Sequence, residues 1–318
     1  MVSAAVARRD EAIAAVAGLM AAAPSVAHAF WHDDGEGGPE LPRYAAAGLE
    51  SAGLMFSLVV LWAYAPRVEG AGDVFIADAD ALLPRADRDA LRAAGAPFAH
   101  VADVVRFRAA ARLGGWVIDA DNFWLRSPPV GRFVFSTVWA KATGSVAPRS
   151  EASRVMFAAF AKENWDGRGL INTPFCVVAE TPFAAELDAL CERFCVGKQP
   201  RAWNIFMHGV RDLVLAADLG AHVRPPLEYG AAPFWGGQRG ALLEDGFFDG
   251  PAAARTKFGV TFPTTDEILE RAYCVPTSFA LGGKAGVHSA IDPRAFAREH
   301  PTSLLGRVVA AIWPSDDA

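Results

Sequence analysis

Two aspartates one residue apart, Asp119 and Asp121, are the side chains whose type and spacing best suit chemistry in this chain. On an extended segment, side chains at i and i+2 point the same way. Both carboxylates can then share one side of the oxygen shell around a hard cation, with ligand oxygens and waters filling the rest. That arrangement suits a metal–diphosphate complex, in which the leaving group gathers negative charge as its bond breaks. Spacing alone is a weak signal. Asp78 and Asp80 in "DADAL" repeat the pattern and read as a helix cap. Asp103 and Arg106 form a second pair, at i and i+3, which places them on one face of a helix. A site needs that geometry, and an ordinary surface ion pair also explains it.

The elements around these residues set them at one place. A helix is expected over Ala102–Leu113, with Val101, Val104, Val105 and Leu113 as an apolar stripe and arginines on the other side. Gly114 and Gly115 supply a left-handed stop. Trp116–Ile118 is then a short all-apolar strand, the kind buried on both faces of a parallel sheet. Asp119 and Asp121 follow at its carboxyl end, where ligands sit in open α/β sheets.

Elsewhere strands are expected at Ala27–Trp31, Ser57–Tyr64, Val74–Ala77, Phe133–Thr137 and Cys176–Ala179. Helices are expected at Arg8–Ala22, Ala79–Leu82, Glu151–Lys162, Pro182–Phe194, Trp203–Ala217 and Thr265–Ala272. Alternation of this kind implies an α/β fold with a mostly parallel central sheet and helices on both faces. Beyond about Phe234 the chain turns rich in glycine and proline, and irregular loops covering the site are expected.

Composition excludes several classes. The chain has 318 residues, 52% of them hydrophobic, enough for one large domain or two small ones. A net charge of −6 argues against a nucleic-acid surface, which needs a basic stripe. Cys176, Cys191, Cys195 and Cys274 show no CxxC spacing, so neither a zinc site nor a disulfide framework is indicated, and a reducing cytoplasm fits. His28, His100, His208 and His222 lack metal-ligand spacing and read as structural. The N-terminal "RRDEAIAAVAGLMAAAPSVAHA" mimics a signal peptide. Asp10 and Glu11 interrupt its basic region, and cleavage would fall against the first core strand, so an alanine-rich helix is the plainer reading. No run of 18 apolar residues is present to span a membrane.

"ADVVRFRAAARLGGWVIDAD" resembles the signature of the DXD-motif glycosyltransferases of family thirty-two, the mannosyl-, galactosyl- and glucosyltransferases related to the glucosylating toxins. The shared pattern is an Asp, two apolar residues and an Arg on a helix, then Gly-Gly, an aromatic–aliphatic strand and Asp-x-Asp. Asp103, Arg106, Gly114, Gly115, Asp119 and Asp121 occupy those positions. Weaker resemblance covers "AHAFWHDDGEGGPELPRYAAAGLESAGLMFSLVVLWAYAP" and "GLINTPFCVVAETPFAAELD".

The resemblance implies a GT-A-type domain spanning 1–318, with an N-terminal helix (1–25), a nucleotide-sugar-binding half (26–140) and an acceptor half (141–318). It implies that Asp103 and Arg106 hold donor-sugar hydroxyls and steady the diphosphate. Asp119 would contact ribose or sugar, and Asp121 would bind Mn²⁺ or Mg²⁺. Trp31 would stack on the base with Tyr64 nearby, core packing being the alternative for each. Asn172 would face the sugar, unless it is a turn asparagine before Pro174. Trp203 and Trp235 could form an acceptor platform, since sugar faces stack on aromatic rings, or be ordinary core. The resemblance breaks down in "YCVPTSFALGGKAGVHSA", which leaves Thr277, Ser278 and His288 as alternative third protein ligands.

The expected function is transfer of a hexose from a nucleotide sugar, UDP-linked or GDP-linked, to a glycan or other hydroxyl acceptor, with retention. Two other classes remain open. One is a non-catalytic nucleotide-sugar or carbohydrate-binding relative. The other is a metal-dependent phosphohydrolase or nucleotidyltransferase, which would want further acidic ligands.

Overall fold

The computed structural model describes residues 9–32, 40–138, 170–196, 204–225, 227–229, 245–246, 248–252, 256–257, 260–261, 263–276 and 291–314. The strands in chain order are β1 (Val26–Trp31), β2 (Leu58–Ala63), β3 (Phe75–Asp78), β4 (Gly115–Val117), β5 (Asn122–Trp124), β6 (Val134–Val138), β7 (Leu170–Val177), β8 (Val223–Arg224), β9 (Thr256–Lys257), β10 (Val260–Thr261) and β11 (Cys274–Pro276). The α-helices are α1 (Arg9–Met20), α2 (Arg43–Met55), α3 (Arg85–Ala93), α4 (Phe98–Leu113), α5 (Pro182–Val196), α6 (Asn204–Ala216), α7 (Thr265–Arg271), α8 (Pro293–Glu299) and α9 (Leu304–Ile312).

Among the described residues a seven-stranded sheet runs in the order β3–β2–β1–β4–β7–β6–β8. From β3 to β4 all neighbours are parallel, β7 lies antiparallel to both β4 and β6, and β8 is parallel to β6. The sheet therefore changes polarity beside β4, the strand that leads into Asp119. "VAHAFW" and "LVVLWA" make β1 and β2 because both faces of these strands are covered. On one face Phe30, Val60, Trp62 and Val117 share a core with Val16 of α1, Val104 of α4, Leu187 of α5 and Phe206 of α6. On the other, Ala29, Leu61 and Trp116 pack with Ala45, Leu49 and Ala52 of α2. This is the mostly parallel α/β sheet, with helices on both faces, that the alternation of elements implies.

A third core lies outside the sheet. Phe123 of β5 and Val275 of β11, which pair antiparallel, bury against Ile268 of α7 and Leu305, Val308 and Ile312 of α9. These helices lean on α2, whose Ala47 joins the same core. Around the contact Arg43 meets Asp292 at 3.1 Å, and Glu50 accepts from Arg294 at 2.5 Å and from the Trp313 indole at 3.1 Å.

Several sequence expectations need correction. The stretch past Phe234 is not only irregular: its described parts include β11, α8 and α9 as well as the expected α7. Glycine and proline masked the helix starts there, although the cap signals are present. Asp292 caps α8 with Pro293 in its first turn, and Ser303 caps α9. Helix α3 also escaped the periodicity reading. The strand expected at Cys176–Ala179 instead begins at Leu170, since pairing with β6 overrides the turn-like "NTP" within it. Helix α4 starts at Phe98, and Arg106 and Arg108 do not form a solvated face. Both are buried and neutralised, Arg106 by Asp103 and Asp119, Arg108 by Asp188 and Glu192. The helix expected at Glu151–Lys162 lies outside the described residues.

β6, β7 and β8 share the sheet of β1–β4, so the spans 26–140 and 141–318 both contribute to one layer. α1 packs on the sheet with Ala12 and Val16 fully buried. All four cysteines are unpaired thiols. Among the described residues no helix is long and apolar enough to cross a membrane.

Candidate functional site

Helix α4 ends where Gly114 caps it with φ 77° and Gly115 follows with φ 99°. A side chain at Gly115 would also meet the Val26 carbonyl at 2.9 Å. The reversal lets β4 run back along α4, which brings Arg106 of the helix beside Asp119 past the strand. His28 of β1 fastens the reversal. Its Nε2–H donates to the Gly114 carbonyl at 2.8 Å while Nδ1 accepts from the Trp62 indole at 3.3 Å. An indole only donates, so Nδ1 must be the bare nitrogen. Burial pushes the His28 pKa down to about 4, and the ring stays neutral.

Arg106, 5% exposed, is the centre of the cluster. Its guanidinium donates to Asp103 at 2.8 Å, to the Ile118 carbonyl at 2.7 Å and to the Asp119 carboxylate. Its Nε donates to the Ala102 carbonyl at 3.2 Å. Burial opposes the charge on Arg106, and the two carboxylates outweigh it, so the guanidinium is held charged more firmly than usual. Burial pushes Asp103 up to about 7 despite Arg106, and burial together with the Asp119 charge pushes Asp121 up to about 7.

The second oxygen of Asp119 accepts from the Thr173 hydroxyl of β7. Both oxygens of Asp119 therefore carry protein donors, one from each side of the polarity change. By contrast, Asp103 Oδ2 is buried and has no hydrogen-bond partner among the described residues. Asp103, Asp119 and Asp121 all lie near the Arg106 guanidinium, and a divalent cation bound beside them would lower the repulsion among the carboxylates. Asp119 and Asp121 suit Mn²⁺ or Mg²⁺ as hard oxygen donors. Among the described residues no group of three His, Cys, Asp or Glu is placed to hold a metal ion.

The turn carrying the two aspartates is closed by the Asn122 amide donating to the Asp119 carbonyl at 3.2 Å. Helix α2 backs it. The Ser51 hydroxyl, fully buried, donates to the Gly48 carbonyl at 2.7 Å and accepts from the Trp124 amide at 3.0 Å. Gly48 touches the turn directly: a Cβ there would lie 2.1 Å from the Ala120 carbonyl oxygen and 3.1 Å from Asp121 Cα. Because the obstacle is backbone, Gly48→Ala is expected to displace the turn. The cost to stability should be on the order of 2 kcal/mol, with metal-dependent ligand binding reduced further than the fold. Melting curves and a Mn²⁺ titration on the same variant check this. Unchanged metal response would show that the turn does not depend on α2.

The remaining sequence candidates fall in different places. Trp31 ends β1, partly exposed, with its ring 5.7 Å from that of His32. Tyr64 follows β2 and is buried. Its hydroxyl donates to the Leu83 carbonyl at 2.8 Å, and the Arg88 guanidinium lies 4.5 Å from its ring centroid. Asn172 is paired through its backbone with Ser136, at a register shift between β6 and β7. Trp203, Trp235, Thr277, Ser278 and His288 lie outside the described residues. Asp78, as expected, caps a short 3₁₀ turn by accepting from the Asp80 amide. Thr173, Gly48 and Ser51 went unnoticed in the sequence. Thr173 adjoins the flagged Asn172, while nothing local marks the other two.

No protein-family model matches the chain, and no curated protein matches it in sequence. Among solved structures, it is similar to "PaToxG Glycosyltransferase" with a TM-score of 0.39 and 11% identity, over 67% of this chain and 79% of that one.

Proposed function

We propose that the protein is a metal-dependent hexosyltransferase of the GT-A type, moving a hexose from a UDP- or GDP-sugar to a glycan or other hydroxyl acceptor with retention. The observation that carries this reading is the linked set Asp103–Arg106–Asp119, with Asp121 beside it at the carboxyl end of β4. These are the residues on which the resemblance to the DXD glycosyltransferases rests.

In this reading Asp121 and Asp119 would hold Mn²⁺ or Mg²⁺, which when bound would supply positive charge against the diphosphate leaving group. Arg106 spends its donors on Asp103, Ile118 and Asp119, so its part is to fix the two carboxylates and balance part of their charge. Asp103, buried on the helix, holds the Arg106 guanidinium in place through its Oδ1. Thr173 holds the far oxygen of Asp119 and so keeps its carboxylate plane fixed while the oxocarbenium-like transition state forms. The acceptor hydroxyl loses its proton to the departing phosphate on the same face, which accounts for retention without a carboxylate nucleophile. Four unpaired thiols suit a reducing cytoplasm.

Thermal shift tests the reading. Mn²⁺ with UDP or with GDP is expected to raise the melting temperature by on the order of 5 °C at a hundredfold excess over Kd. Mn²⁺ alone or free hexoses should do much less. No shift with either nucleotide in Mn²⁺ would defeat the proposal.

A further inference from the structure

His28 holds β4 at both of its ends. At the entry its Nε2–H donates to the Gly114 carbonyl, and at the exit its own carbonyl accepts from the Ile118 amide at 3.0 Å. Between these two bonds lie Gly115, Trp116 and Val117, the whole of β4. The next residue is Asp119, and the Ile118 carbonyl is itself taken by Arg106. One residue of β1 therefore sets where the strand starts and where it hands the chain to the aspartates.

The imidazole that makes the first bond is fully buried and has one available form. With the Trp62 indole donating to Nδ1, the proton must sit on Nε2, facing Gly114. Gly115 leaves the ring its place: a Cβ there would lie 3.3 Å from Nε2. Neither glycine of the reversal has a side chain to pack, and the His28 bond ties the buried end of α4 to the sheet. Asp119 takes its partners from two elements, Arg106 of α4 and Thr173 of β7. A shift of α4 against the sheet would pull its carboxylate between them.

We propose that His28 is a positioning residue for the candidate site. Through the Gly114 bond it fixes how α4 and the β4 turn meet, and with that the placement of the Asp119 and Asp121 carboxylates toward a cation and its diphosphate. The proposal rests on the nucleotide-sugar reading given above. It makes a core histidine a determinant of ligand affinity as well as of stability.

Two amides divide the two bonds of the imidazole. A glutamine amide nitrogen overlays Nε2, so His28→Gln keeps a donor for Gly114 and gives up the acceptor for Trp62. An asparagine amide overlays Nδ1, so His28→Asn keeps an acceptor for Trp62 and gives up the donor for Gly114. Each variant forfeits one buried hydrogen bond, and both should melt at similarly lowered temperatures. The full chain is titrated calorimetrically with UDP in Mn²⁺ and with GDP in Mn²⁺, at a temperature where circular dichroism shows it folded. For whichever nucleotide the wild-type protein binds, His28→Gln should stay within about twofold of its affinity and His28→Asn should fall about tenfold. Trp62→Phe, which also keeps the Gly114 bond, should bind as His28→Gln does. Equal affinity in all of these proteins, or an asparagine variant that does not fold, would make the role of His28 one of stability alone. A loss in His28→Gln as large as in His28→Asn would show that the Gly114 bond is not the device. Each of these results overturns the positioning role and leaves the nucleotide-sugar reading standing. If the wild-type protein binds neither nucleotide, the underlying reading fails and takes this one with it.

Discussion

Deleting residues 1 to 31 is expected to destroy the domain, while deleting residues 1 to 20 should leave a weakened but folded protein. The longer deletion removes β1, which lies between β2 and β4 and is paired along its whole length with Leu58–Ala63. Ala27, His28 and Ala29 are fully buried, and both sheet faces lose part of their core. The inner edges of β2 and β4 would be left with unpaired backbone groups in the interior, each costing about as much as a lost hydrogen bond. Against a total stability of roughly 5–15 kcal/mol, no domain of this kind survives that. Among the described residues the shorter deletion takes α1, whose fully buried contributions are Ala12 and Val16. Its cost should be on the order of 3 kcal/mol. Circular dichroism melts of both truncations decide the matter. A cooperative melt from the chain lacking residues 1 to 31 would show that the sheet does not need β1.

Asp121→Asn is expected to abolish Mn²⁺-dependent nucleotide binding and yet to stabilise the metal-free protein at neutral pH. The first effect follows because an amide oxygen is a far poorer partner for a dication than a carboxylate. The second follows from the direction of the Asp121 shift, from an ordinary 3.8 up to about 7. An acid whose pKa is raised by folding favours the folded state while it is protonated. That contribution is complete below about pH 4 and is lost as the pH climbs through about 7. Asparagine never ionises and suffers no such loss. In a metal chelator, the variant should therefore melt at or above the wild-type temperature at pH 8, and the gap should close on acidification to pH 4. Unchanged Mn²⁺-dependent affinity would remove Asp121 from the metal site. A variant less stable than wild type at pH 8 would show that Asp121 is not a strained, desolvated carboxylate.

What could be read from the sequence is local. Asp103, Arg106, Asp119 and Asp121 come together because a helix, a glycine reversal and a strand bring the chain back along itself, and every step of that path has a signature in composition. The all-apolar β1 and β2 were equally legible. The residues that hold the turn were not. Gly48, Ser51 and Thr173 reach Asp119–Trp124 from remote parts of the chain, and glycine, serine and threonine reveal such a role only through tertiary contacts. Tyr64, which the resemblance places near the base with core packing as the alternative, is buried with its hydroxyl tied to Leu83. The C-terminal helices were missed because glycine and proline content was read without the Asp292 and Ser303 caps.

Helix α2 has three occupied sides. Residues 45, 49 and 52 face the sheet, 48 and 51 face the aspartate turn, and 43, 47 and 50 face the C-terminal helices. Such a segment has almost no room for neutral drift. Over evolutionary time its inward positions would stay small as backbones close in, and Ala45, Ala47, Gly48 and Ala52 are better read as a record of that crowding than as compositional bias. Engineering aimed at changing what the site accepts would do better to leave α2 untouched and vary residues that border the ligand without bearing on the turn.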